Sequence, residues 1–92
     1  MVEVIVSKRA EKDISDIKIF TIEQWGEVKS SITGRELKLA FNFLSEFPYC
    51  GQPVERKNVF ARVVPQLPFV ILYRYTSEKV TVLRIIHTKR NR

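Results

Sequence analysis

Hydrophobic and polar positions change period along this chain, and the changes mark its elements. Val2, Val4 and Val6 alternate with Glu3, Ile5 and Ser7, which predicts an opening strand. Ala10, Ile14, Ile17, Thr21 and Trp25 then recur at three- and four-residue steps, with Phe20 beside them, which predicts a helix with one inward face. Ser7 is placed to cap that helix, and Gly26 to close it in the left-handed conformation that glycine tolerates. A second helix runs from Glu27 to about Glu46, because Phe47 precedes Pro48 and is biased out of helical geometry. Thr33-Gly-Arg-Glu36 has the form of a capping box, and Gly34 costs ~1 kcal/mol inside a helix. A kink near Thr33 therefore competes with the continuous helix expected here.

The second helix carries two apolar stripes. Leu37, Ala40, Phe41 and Leu44 form one, extended by Ser30 and Thr33; Val28, Ile32, Leu39 and Phe43 form another, on a face turned well away. A helix packed only on a sheet needs one stripe. The second either fills the contact between the two helices or meets something outside the chain.

The C-terminal half changes to strands. Pro48-Tyr-Cys-Gly-Gln-Pro53 is a turn-rich connector, and Val59 to Val64 an outer strand stopped by Pro65-Gln-Leu-Pro68. Phe69 to Tyr75 and Lys79 to His87 are apolar on both faces, so they belong in the middle of a sheet. The order is β-α-α-β-β-β. It predicts an α+β fold with an N-terminal helical hairpin packed on one face of a mostly antiparallel four-stranded sheet. Residues 1–92 form a single domain without repeats or linkers, ending in a basic tail, 89–92, expected to be frayed.

Composition narrows the function classes. At 45% hydrophobic and 28% charged the chain is ordinary globular material. The single cysteine, Cys50, excludes an intrachain disulfide and a cysteine zinc site, which fits a reducing cytoplasm. No apolar run approaches the ~20 residues of a membrane helix, so no membrane association is expected. The net charge of +6 favours a polyanionic partner: nucleic acid, ribosome or an acidic protein segment. No glycine-rich phosphate loop, paired carboxylates or metal-ligand cluster is present, so neither a cofactor nor a metal is expected.

Several stretches carry a family resemblance. On the first helix they are Ser7, Ala10, Asp13, Ile14, Ile17 and Phe20, followed by Trp25-Gly26, Leu37, Phe41, Leu44 and Pro48. Gly51, Pro68-Phe-Val-Ile-Leu-Tyr-Arg74 and Val82-Leu-Arg-Ile-Ile-His87 with Arg90 complete the pattern. Together they resemble the RelE/ParE superfamily of type II toxins, and more closely its ParE branch. The resemblance implies a toxin neutralised by a cognate acidic antitoxin, reaching operator DNA only through that antitoxin. ParE-like members are associated with inhibition of DNA gyrase by protein–protein contact. RelE-like members cut mRNA on the ribosome, which is the alternative. Fold alone does not choose between these targets.

Metal-free RNA cleavage needs a base, an acid and cations for the developing phosphate charge. Arg62, Arg84 and His87 are the candidates for that alternative. His87 is the only histidine and ends a central strand, where a structural role competes with acid–base work. Arg84 alternates with Val80, Val82 and Ile86 at the strand period and is expected on their face, paired with Asp13 or Glu3 or touching phosphate. Arg74, Arg84, His87, Lys89 and Arg90 are the candidates for target binding. Tyr73 and Tyr75 read as core rather than as stacking platforms. Ile19, Ile22, Val28, Ile32, Leu39 and Phe43 are candidates for antitoxin binding or self-association, the latter as a homodimer within a toxin–antitoxin hetero-oligomer.

Overall fold

The structure is a computed structural model and describes residues 1–88. The alternating N-terminal residues form β1 (Glu3–Val6), with Val4 and Val6 turned toward the core and Glu3 and Ile5 toward solvent. Ser7 ends it in an extended conformation, and its Oγ accepts a hydrogen bond from the Ala10 N–H at 3.1 Å, capping α1 (Lys8–Glu46).

Helical structure runs through all of α1 except Gly26, whose φ of 88° and ψ of 171° are not helical. A straight helix of 39 residues would be about 58 Å long at ~1.5 Å per residue, whereas the molecule's longest axis is 39 Å. The chain therefore folds back at this one residue into two arms, residues 8–25 and 27–46. The expected hairpin thus takes the form of one helical element broken at a point, without a connecting loop. Between the arms, Thr21 Oγ1 donates to Ser30 Oγ at 2.8 Å, both buried. No kink occurs at Thr33; its hydroxyl donates back to the Lys29 carbonyl at 2.9 Å, as serine and threonine do inside helices.

Gly26 occupies a backbone region open essentially to glycine, and a Cβ there would meet nothing within 4 Å. Gly26→Ala is thus a test of backbone strain alone. It is expected to destabilise the chain by about 1–3 kcal/mol, read as a lower denaturant midpoint at unchanged slope.

The sheet has five strands in the order β1-β5-β4-β3-β2, built from β2 (Gln52–Pro53), β3 (Val59–Val63), β4 (Phe69–Thr76) and β5 (Lys79–His87). β4 and β5 are central, as their two apolar faces require. Three features differ from expectation. The sheet is mixed, since β1 runs parallel to β5, from Glu3 opposite Lys79 to Val6 opposite Val82. The connector contributes a fifth strand, β2, which pairs with Phe60 and Ala61 and makes β3 an inner strand. Its proline is tolerated because an edge strand leaves one side unpaired.

The third difference is a bulge in the central pair. Leu72 lies opposite Arg84 and Tyr73 opposite Val82, so Leu83 is the extra residue. The slip puts Val80, Val82, Ile85 and His87 in one phase, opposite Tyr75, Tyr73, Ile71 and Phe69. Arg84 passes with Ile86 to the other phase, and its expected alternation with Val80 and Val82 is corrected. The core lies between the first phase and α1, where Ala10, Leu37, Ala40 and Leu44 meet Phe69, Ile71, Tyr73, Val80, Val82 and Ile85. Trp25, expected inward, is exposed at the end of the first arm and touches Phe20 edge-on.

Candidate functional site

β5 continues past the end of β1, because β1 stops opposite Val82 while β5 runs to His87. That overhang would leave strand hydrogen-bonding groups open, and the start of α1 supplies their partners. Ser7 Oγ donates to the Leu83 carbonyl at 3.3 Å, and Asp13 Oδ2 accepts the Ile85 N–H at 2.9 Å. The same carboxylate takes the Arg84 guanidinium, Nε to Oδ2 at 2.8 Å and Nη2 to Oδ1 at 3.4 Å, with Arg9 at 3.5 Å. Asp13 is only 6% exposed. Burial alone would raise its pKa. The hydrogen bonds from Arg84 and the Ile85 amide, with the charges of Arg84 and Arg9, outweigh that and hold it below the ordinary 3.8.

Around this cluster lies a pocket of about 270 Å³ whose walls include Arg9, Asp13, Asp16, Phe20, Phe69, Arg84 and His87. His87 is wedged edge-on against two rings, Phe69 at 5.3 Å and Phe20 at 6.0 Å between centroids. The fold therefore brings Arg84 and His87 into one pocket. Arg84 enters it already engaged by a carboxylate.

Arg62 is not part of that group. It lies on β3 opposite Ile71, with its guanidinium 4.4 Å from the centre of the Phe43 ring. Its Nε is enclosed and has no acceptor among the described residues. Arg74 lies opposite Val59 and Thr81, in the strand phase directed away from α1. Lys89 and Arg90 lie outside the described residues. Tyr73 is core, as expected, and Tyr75 is half-buried beside Tyr49, 4.9 Å between ring centres. Among the described residues no group of three or more His, Cys, Asp or Glu side chains is arranged to hold a metal ion. None of their helices is long and apolar enough to cross a membrane.

The apolar stripe is settled as surface. Val28 is 75% exposed, Ile19 58%, Leu39 53% and Ile32 42%, with Ile22 and Phe43 a little less. These side chains do not fill the contact between the arms, where Ile14, Ile17, Thr21, Ser30, Thr33 and Leu37 lie instead. Beside that contact is a groove of about 550 Å³ with Ile22 at its rim. Sequence reasoning passed over Arg9 and the apolar end formed by Phe47 and Tyr49. Arg9 had a signal, since it stands four residues before Asp13 and faces it on a helix. Phe47 read only as the end of the helix and Tyr49 as part of a turn.

Comparison with known proteins agrees with this architecture. Residues 4–92 match the family model described as ParE toxin of the type II toxin–antitoxin system, parDE. Toxin ParE1 of Caulobacter vibrioides is 29% identical over 86 residues, spanning 94% of this chain and 88% of that protein. A solved structure described as the chromosomal ParDE TA system from P. aeruginosa superposes with a TM-score of 0.83. It covers 95% of this chain and 96% of its own at 19% identity, a likeness of fold. With the family model matching from β1 to the C-terminus, this chain belongs to the ParE toxin family of type II toxin–antitoxin systems.

Proposed function

We propose that this chain is a toxin that inhibits DNA gyrase by protein–protein contact and is neutralised by a cognate acidic antitoxin. The observation that carries the choice is the disposition of its cations. Arg84 is committed to Asp13, whose carboxylate also accepts the Ile85 N–H. Arg62 is turned under Phe43, outside the pocket that holds His87. Ribosome-dependent mRNA cleavage would need these three groups around one phosphate. Binding needs only a surface.

That surface is basic and partly apolar. Arg74, Arg84 and His87, with Lys89 and Arg90 from outside the described residues, are the candidates for gyrase contact. The groove between the arms of α1, rimmed by Ile22 and floored by Ile14, Ile17 and Leu37, suits apolar anchors of an antitoxin segment. A net charge of +6 speeds encounter with an acidic chain. Operator DNA is reached through the antitoxin.

Expression of the chain, with gyrase cleavage complexes and transcript integrity followed in parallel, tests the reading. Accumulating gyrase complexes with intact transcripts is the expected result. Ribosome-dependent transcript cutting that disappears in His87→Ala, with gyrase unaffected, would establish the endonuclease alternative instead.

A further inference from the structure

The outer face of the second arm of α1 has a symmetry that its exposure makes usable. At ~100° per residue, Val28, Ile32, Leu39 and Phe43 fall within about 60° of one another, roughly opposite the buried Ser30, Leu37 and Leu44. They stand equidistant from the midpoint between Arg35 and Glu36: Ile32 and Leu39 on the inner positions, Val28 and Phe43 on the outer. Val28, Ile32 and Glu36 form one ridge of four-residue steps; Arg35, Leu39 and Phe43 form the next. A two-fold axis through that midpoint exchanges the ridges, placing apolar against apolar and Arg35 against Glu36. Among the described residues neither Arg35 nor Glu36 makes an ion pair within the chain.

We propose that residues 28–43 form an isologous interface with a second copy of this chain, the two arms antiparallel about an axis between Arg35 and Glu36. Val28 then meets Phe43 of the second copy, Ile32 meets its Leu39, and the central Arg35 and Glu36 each face the opposite charge, twice per dimer. The surface is complementary to itself in both hydrophobicity and charge, which a heterologous partner would not require. The contact runs along about 22 Å of helix at ~1.5 Å per residue. A contact this short stands at the small end of protein interfaces, where association is reversible rather than obligate. It leaves the groove between the arms, on the other side of this helix, free for a different occupant.

Sedimentation of the purified chain across the micromolar range, for wild type, Arg35→Glu, Glu36→Arg and an equimolar mixture of the two variants, tests the arrangement. Wild type is expected to self-associate. Each variant, which sets like charges against each other twice, is expected to weaken this by about tenfold or more. The mixture, which restores opposite charges, is expected to associate as wild type does. Arg35 is exposed and Glu36 half-buried, and neither is ion-paired within the chain among the described residues, so helical circular dichroism should be unchanged; recovery in the mixture separates lost association from lost folding. A wild-type chain that stays monomeric, a dimer indifferent to both substitutions, or a mixture that fails to recover would each overturn the proposal. So would Leu39→Glu leaving self-association intact while weakening antitoxin binding, which would assign the face to the antitoxin. The gyrase readout is independent of every one of these outcomes.

Discussion

Asp13→Ala is expected to destabilise the chain by about 3 kcal/mol, more than any exposed substitution on α1, because one carboxylate serves three groups. Its removal leaves the buried Ile85 N–H without an acceptor and Arg84 without its counter-charge. Arg84 is partly solvated, its side chain 38% exposed, which keeps the loss at the lower end for a broken buried pair. Asp13→Asn keeps an oxygen for the Ile85 amide and should lose roughly half as much. The pH dependence separates charge from shape. The folded-state pKa of Asp13 is depressed, so its contribution is fully present above the ordinary value of 3.8 and is lost as pH falls through the folded value. Denaturant midpoints of wild type and Asp13→Asn should therefore converge on acidification. Curves that stay parallel down to the acid limit would show that the charge contributes nothing.

The second large effect is expected at the other end of the sheet. Tyr73 is fully buried and stacked on Phe60, and its hydroxyl donates to the Pro48 carbonyl at 2.8 Å and accepts the Gly51 N–H at 3.0 Å. A Cβ on Gly51 would stand 2.8 Å from that hydroxyl and 3.0 Å from both the Ala61 carbonyl oxygen and the Phe60 Cβ. Neither the enclosed ring nor the strand backbone can yield freely, so Gly51→Ala is expected to cost about 3 kcal/mol through overpacking and broken hydrogen bonds. Tyr73→Phe alone should cost about 1.5 kcal/mol. The double variant should fall short of the sum by about 1 kcal/mol, because removing the hydroxyl also removes the nearest clash. Strict additivity in chemical melts would show that the hydroxyl and the glycine are not coupled. Burial pushes the Tyr73 phenol up to about 12, against the Gly51 N–H acting the other way. Its share of stability is therefore present below pH 10 and lost as pH rises through about 12, a slope that Tyr73→Phe should lack.

The sequence made some of this legible and hid the rest for identifiable reasons. The turn at Gly26, the cap at Ser7 and the buried stripe of Leu37, Ala40 and Leu44 follow from short-range periodicity, which survives into the fold. The phase of Arg84 does not, because the bulge at Leu83 depends on how β4 and β5 register against each other. Strict alternation places Arg84 with Val80 and Val82; one extra residue moves it to the opposite phase and makes Ile85 the core residue. β2 was hidden by its proline, which argues against a strand unless an edge position is known. The pairing of Asp13 with Arg84 was one of two alternatives, and separation of Asp13 from Glu3 required knowing that β5 outruns β1. The exposed stripe could be recognised as a second face from sequence, but not as surface. That followed only once Thr21, Ser30 and Thr33 were found between the arms.

The pairing of β1 with β5 also orders the assembly of the fold. β1, the first strand of this sheet along the chain, has no neighbour in it except β5, the last, and the cap residue Ser7 hydrogen-bonds to Val82 and Leu83 on that strand. The two arms of α1 can coil early, but the apolar layer they cover is completed only by β4 and β5. Closing the sheet brings together Glu3 and Lys79, a long-range pairing whose loop-closure cost comes before its contacts reward it. The pocket around Asp13, built by the start of α1 on the end of β5, therefore exists only once the two ends of this long-range pairing have met.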